Sequence, residues 1–220
     1  HKLALNSLGA CCVPVNPDHR PREHAYVLDH AQVDLVLLLP GRVDALHAAL
    51  QGCGAGPRGA VLAPAYHCRT MLDPAIALRA PVLLYRIRAD MAPDLEAIEA
   101  HLRSAQVPVR AVIATHYFGF PQALGSLADL CIRYGASLVE DCSHAFFADP
   151  AHAVLGRTGR FGAASAQKFF PCEDGGVLWA QDAADLPQPG PRAPGLLQEL
   201  RGAFHAYQLA RTPSRPVPLA

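Results

Sequence analysis

The stretch Ser137-Leu138-Val139-Glu140-Asp141-Cys142-Ser143-His144-Ala145-Phe146-Phe147 decides the reading of this chain. Its sequel is Phe161-Gly162-Ala163-Ala164-Ser165-Ala166-Gln167-Lys168, followed by Asp174-Gly175-Gly176. The apolar run Leu138-Val139 stops abruptly at Glu140-Asp141, so a strand delivers a carboxylate at its carboxyl end. Ligands of α/β sheets sit at that end. A second short run, Phe161 to Ser165, leads to Lys168 in a setting of small and aromatic residues.

An acid at one strand end and a lysine with apolar neighbours suit pyridoxal phosphate chemistry. The lysine forms a Schiff base with the cofactor aldehyde, and the acid pairs with the pyridinium nitrogen. A lysine must first lose its proton, and desolvation favours the neutral amine. Phe169, Phe170, Ala163, Ala164 and Ala166 supply the apolar surroundings expected for Lys168, which would then act as general base and acid. The plainer alternative is an Asp and a Lys on neighbouring surface loops, where both residue types usually lie.

Outward from this stretch, strand and helix patterns alternate. The segment from Gly41 reads as a helix with Ala45, Leu46, Ala49, Leu50 and Cys53 on its apolar face, ended by the Gly54–Gly59 punctuation. Ala60–Ala63 and Val82–Tyr85 read as strands. Asp94 is expected to cap a helix whose face carries Leu95, Ile98 and Leu102. Arg110–Thr115 reads as a buried strand. Ser126 is expected to cap a further helix, with Leu127, Leu130, Cys131 and Tyr134 inward and Gly135 closing it. The expected fold class is α/β, a mainly parallel sheet with helices on both faces. Pro-rich residues 186–195 read as a linker, 196–209 as a partial helix, and 212–220 as an unstructured tail.

Composition excludes several functions. The 220 residues carry 19 basic and 19 acidic side chains, so no net charge argues for nucleic acid or a membrane surface as partner. No apolar run approaches the roughly 20 residues of a membrane span. Seven cysteines without Cys-x-x-Cys spacing favour reduced thiols, a cytoplasmic setting and no zinc site. A chain opening at His1-Lys2, without a signal-peptide pattern, is expected to be an excerpt of a longer protein. A serine hydrolase relay of Asp141, Ser143 and His144 fails because residues so close on one turn cannot reach one another in sequence. A metal site from Asp141, Cys142 and His144 lacks a spaced fourth ligand.

Taken together, Glu140-Asp141-Cys142-Ser143-His144, then Ser165-Ala166-Gln167-Lys168, then Asp174-Gly175-Gly176 resemble the DegT/DnrJ/StrS-type sugar aminotransferases. The resemblance covers residues 41–185. It implies the large domain of a fold-type-I pyridoxal-phosphate-dependent transferase, with the small C-terminal domain missing from this chain. Lys168 and Asp141 are the implied catalytic and cofactor-binding residues. His144 would lie beside the cofactor's phenolic oxygen and Ser165 would bind its phosphate. Gly41 and Arg42 begin the helix whose free amides would hold that phosphate, a placement that the helix dipole favours. The position that carries an aromatic over the cofactor ring in the family is Cys68 here, which leaves Tyr66 or His67 to stack instead; His116 to Pro121 resembles the family's His-x-x-Gly segment, either lining the pocket or forming a packing turn. The implied partners are an amino acid donor such as glutamate, a keto sugar nucleotide and a second copy in a homodimer.

Residues 1–40 differ. Leu8 to Pro17, Glu23 to Leu28 and Val33 to Leu39 resemble a piece of the adenylate-forming acyl-CoA synthetases, without that family's phosphate loop, and residues 22–30 read as a short helix. The alternatives to an aminotransferase are therefore a non-catalytic remnant or binding module of the same fold, and a fragment of an adenylating ligase.

Overall fold

The computed structural model describes residues 36–39, 42–145, 155–165, 168 and 175–187. Its strands are β1 (Val36–Leu39), β2 (Ala60–Pro64), β3 (Val82–Tyr85), β4 (Val109–Thr115), β5 (Ser137–Asp141), β6 (Phe161–Ser165) and β7 (Gly176–Ala180). Its helices are α1 (Arg42–Gly52), α2 (Asp73–Ala77), α3 (Leu95–Ser104) and α4 (Gly125–Tyr134). One seven-stranded sheet has the order β1-β7-β6-β5-β4-β2-β3. Neighbours from β3 across to β6 pair in parallel, while β7 runs antiparallel to both β6 and β1. This is the α/β sheet expected from the alternating pattern.

Helices cover both faces. The face of α1 foreseen from the sequence, Ala45, Leu46, Ala49, Leu50 and Cys53, is buried against Val61, Ala63, Ile113, Val139, Phe161 and Leu178, with α2 beside it through Ala75. On the other face Ile98 of α3 and Leu127, Leu130 and Cys131 of α4 pack on Leu62, Val112, Ala114 and Leu138. Full burial of one such aliphatic side chain is worth ~1.5–3 kcal/mol, so these two layers hold the sheet.

Most helix signals held. Asp94 caps α3 through Oδ1, which accepts from the Ala97 N–H at 3.1 Å. Gly135 closes α4 in the left-handed region, at φ 67°. Two expectations fail. Leu95 is 37% exposed rather than part of the α3 face, because a first-turn side chain has no turn below it to pack on. Ser126 does not cap α4: the cap position is Leu124, and no side chain caps there. Leu124 is 2% exposed, and its burial outweighs a serine cap worth ~1 kcal/mol. The helix therefore starts one residue before Ser126.

The strand at Val36–Leu39, read above with the N-terminal segment, is β1 of the same sheet, paired with Val177–Trp179 and Gly176. Leu186, placed in the linker by composition, is buried against the α1 layer. The helix expected at 22–30 and the elements expected at 196–220 lie outside the described residues.

Candidate active site

Register brings the site residues to one edge. Thr115, Asp141 and Ala163 are aligned across β4, β5 and β6, at their carboxyl ends. Ser165 lies two residues beyond Ala163 and pairs with Gly176, which in turn pairs with Leu39. The chain leaves Leu39 and begins α1 at Arg42. The start of α1, Ser165, Gly175-Gly176 and Asp141 therefore share the carboxyl edge of the sheet. Alternation along β5 puts Asp141 on the α1 face with Val139, and Glu140 on the opposite face with Leu138.

Asp141 is buried and held from two sides. Its carbonyl accepts from the His116 N–H at 3.0 Å, and its Oδ1 accepts from the Ser143 N–H at 3.0 Å. The Cys142 N–H continues the ladder to the Ala163 carbonyl at 2.8 Å. These bonds orient a carboxylate whose Oδ2 makes no hydrogen bond among the described residues.

Glu140 does different work, and the sequence reading gave it no role of its own. It is fully buried, and four donors meet its carboxylate. His116 Nε2 lies at 2.8 Å and the Gly156 N–H at 2.9 Å from Oε2; the Thr158 and Gly159 N–H groups donate to Oε1 at 2.7 and 2.5 Å. His116 Nδ1 accepts from the Gln122 N–H at 2.9 Å, so the ring proton sits on Nε2 and donates to Glu140. Cys142 lies within 4.8 Å of both groups, but the carboxylate's acceptor positions are filled and no ion is needed to satisfy it. Burial, and then the carboxylates of Glu140 and Asp141, push the Cys142 thiol well above its ordinary range. No local signal in the sequence announces this role, since the partners lie 16 to 24 positions away.

Aromatic rings line the neighbouring turns. The Tyr117 hydroxyl donates to the Tyr66 carbonyl at 2.6 Å, and the two rings lie 5.7 Å apart. Burial pushes the Tyr117 hydroxyl up to about 12. The Phe118 ring lies 6.0 Å from the His144 ring at 14°, a stacked pair. His144 is exposed in the turn closed by the Ala145 N–H and the Cys142 carbonyl. Of the two candidates for a ring-covering residue, Tyr66 is exposed, as is Cys68, and His67 Nδ1 bonds the Cys68 carbonyl at 2.7 Å. The His-x-x-Gly segment is anchored through His116.

Two hydroxyls at this edge, Ser143 Oγ and Ser165 Oγ, are buried without a hydrogen-bond partner among the described residues. Each such orphan costs ~1–3 kcal/mol. Lys168 is exposed, which departs from the apolar surroundings expected for it. Ala163 and Ala164 are buried in different clusters. Ala166, Phe169, Phe170, Asp174 and Gly41 lie outside the described residues, as does the side chain of Arg42.

No helix among the described residues is long and apolar enough to cross a membrane. Residues 31–186 match the DegT/DnrJ/EryC1/StrS aminotransferase family, so the match opens upstream of Gly41 and takes in β1. The chain is 31% identical over 141 residues to L-glutamine:scyllo-inosose aminotransferase of Streptomyces griseus, covering 63% of this chain and 32% of that protein. Among solved structures, it resembles a DegT DnrJ EryC1 StrS aminotransferase from Brucella abortus, with a TM-score of 0.64 and 22% identity over 76% of this chain and 48% of the other. It also resembles S. venezuelae DesV in complex with a ketimine intermediate, with a TM-score of 0.63 and 25% identity over 73% of this chain and 44% of the other. The chain thus spans about a third of the curated relative and under half of these solved structures. The likeness assigns the sheet to the fold-type-I transferases. By the span of its match, this chain belongs to the DegT/DnrJ/EryC1/StrS aminotransferase family.

Proposed function

We propose that this chain carries the cofactor-binding part of a pyridoxal-phosphate-dependent aminotransferase that moves an amino group from an amino acid such as glutamate to a keto sugar. The observation that carries this reading is the shared edge. Asp141, Ser165 and the start of α1 converge there from three elements far apart in sequence. The orphaned Ser165 hydroxyl fits a phosphate group, which accepts hydrogen bonds through several oxygens. The first turn of α1 carries N–H groups without helical partners, a second source of donors for the same anion.

In this reading Ser165 and the α1 start, with Gly41 and Arg42, hold the phosphate. Asp141 keeps a proton on the ring nitrogen through its charge, since an opposite charge at close range favours the protonated form. His144 sits beside the phenolic oxygen. When bound, the cofactor supplies an electron sink for the carbanion. Lys168 Nζ anchors it covalently, then takes and returns a proton at the substrate carbon, work typically worth ~10²–10⁴-fold. We also propose a homodimer acting in the cytoplasm, in which a second subunit covers the exposed Lys168. The same exposure favours a second reading, a fold that binds the cofactor without turnover.

Half-reaction kinetics separates the two. With pyridoxal phosphate bound, adding glutamate or glutamine should deplete the cofactor's visible absorbance band in the parent protein. A band that forms but resists every amino donor leaves the binding-only reading, and no band at all overturns both.

A further inference from the structure

The turn after β4 holds Phe118 in the left-handed region, at φ 55° and ψ 26°, followed by Gly119 at φ 90°. A phenylalanine rarely adopts that backbone, and such outliers concentrate where function over-determines them. Its side chain is 60% exposed, so core packing does not explain the conformation. What the conformation does achieve is contact. Tyr66, Tyr117, Phe118 and His144 form a chain of rings with centroids 5.7, 6.0 and 6.0 Å apart. That chain joins the turns that follow β2, β4 and β5, and its last step is the near-parallel stack on His144 at 14°.

We infer that Phe118 is a positioning residue that fixes the plane of the His144 imidazole beside Asp141, with Tyr117 as its brace. The inference rests on the reading that His144 takes part in binding a pyridoxal-phosphate-class cofactor. A ring stacked on one face restricts the turning of the imidazole about its side-chain bonds before the ligand arrives, so less is lost on binding. The brace is itself tied down: the Tyr117 hydroxyl bonds the Tyr66 carbonyl at 2.6 Å, and the His116 preceding it is clamped by Glu140 at 2.8 Å.

The test uses the whole chain with two readouts. First, the ring-proton NMR signals of His144, assigned by comparison with His144→Gln, are recorded without cofactor. In Phe118→Ala and Phe118→Gly they should move downfield as the ring current is lost, while Phe118→Tyr keeps them in place. Second, pyridoxal phosphate titration should give affinities weaker by about 2- to 12-fold in the Ala, Gly and Leu variants, the fold-change equivalent of one aromatic pair. Phe118→Tyr should restore the parent value. Phe118→Gly guards against misfolding, since glycine accepts the left-handed backbone at no steric cost and should melt no earlier than the parent. Unmoved His144 signals, or a Leu variant that binds as tightly as Tyr, overturn the proposal. If the parent binds no pyridoxal phosphate while the His144 signals still move, the cofactor reading fails and the ring stack stands.

Discussion

His116 Nε2 lies 2.8 Å from Glu140 Oε2, and neither side chain reaches solvent. This pair, closed by three further N–H donors from Gly156, Thr158 and Gly159, ties the turn after β4 to the segment before β6. Asp141, the next residue, then emerges from β5 with its direction determined.

Replacing Glu140 by Gln should be among the most damaging single changes in this chain. The amide nitrogen would face donors, leaving buried N–H groups unmet. Leaving a buried donor without its acceptor typically costs ~1–3 kcal/mol, more where the acceptor was charged, and a loss of that size in urea unfolding is expected. A loss under 1 kcal/mol would mean that the clamp does not hold in solution.

The thiols set an alkaline limit. Burial pushes Cys53 from its ordinary value of 9.0 up to about 11 and Cys131 up to about 12. Tyr117 moves from 10.0 to about 12 for the same reason. Each folded value lies above the unfolded one. The unfolded chain therefore ionises first, and the stability these groups contribute is complete below pH 9 and lost as pH rises through 11 to 12. Each contributes a slope of up to ~1.4 kcal/mol per pH unit in its window. Thermal unfolding from pH 8 to 11 should show a falling Tm. At pH 8 iodoacetamide should modify exposed Cys68 well before buried Cys53, Cys131 and Cys142.

Much of the fold was legible because one-sided burial leaves a period in the sequence. Ala45, Leu46, Ala49 and Leu50 mark the buried stripe of α1, and Leu127, Leu130 and Cys131 that of α4. The end of β5 was legible because charge interrupts an apolar run at Glu140-Asp141. What escaped depends on long-range contacts. The opposite roles of Glu140 and Asp141 follow from strand alternation combined with partners 16 to 24 positions away, in Gly156 and His116. The membership of Val36–Leu39 in the sheet depends on pairing with β7. The start of α4 at Gly125 rather than Ser126 depends on where Leu124 finds the core, which no local cap signal reports.

Asp141→Asn should leave the fold intact, because the Ser143 N–H can still donate to the amide oxygen. The substitution removes the charge. Pyridoxal phosphate uptake should persist with a shifted absorbance spectrum, while the half-reaction with an amino donor falls by at least ~10²-fold. Equal half-reaction rates in the variant and the parent would remove Asp141 from the chemistry.

The central claim is that the edge shared by Asp141, Ser165 and the start of α1 receives a cofactor anchored on Lys168. Borohydride reduction of the protein incubated with pyridoxal phosphate, followed by peptide mass mapping, tests it directly. The account predicts stoichiometric label on Lys168, lost in Lys168→Ala and weakened in Ser165→Ala. Label on Lys2, the other lysine of the chain, or no label at all would contradict it.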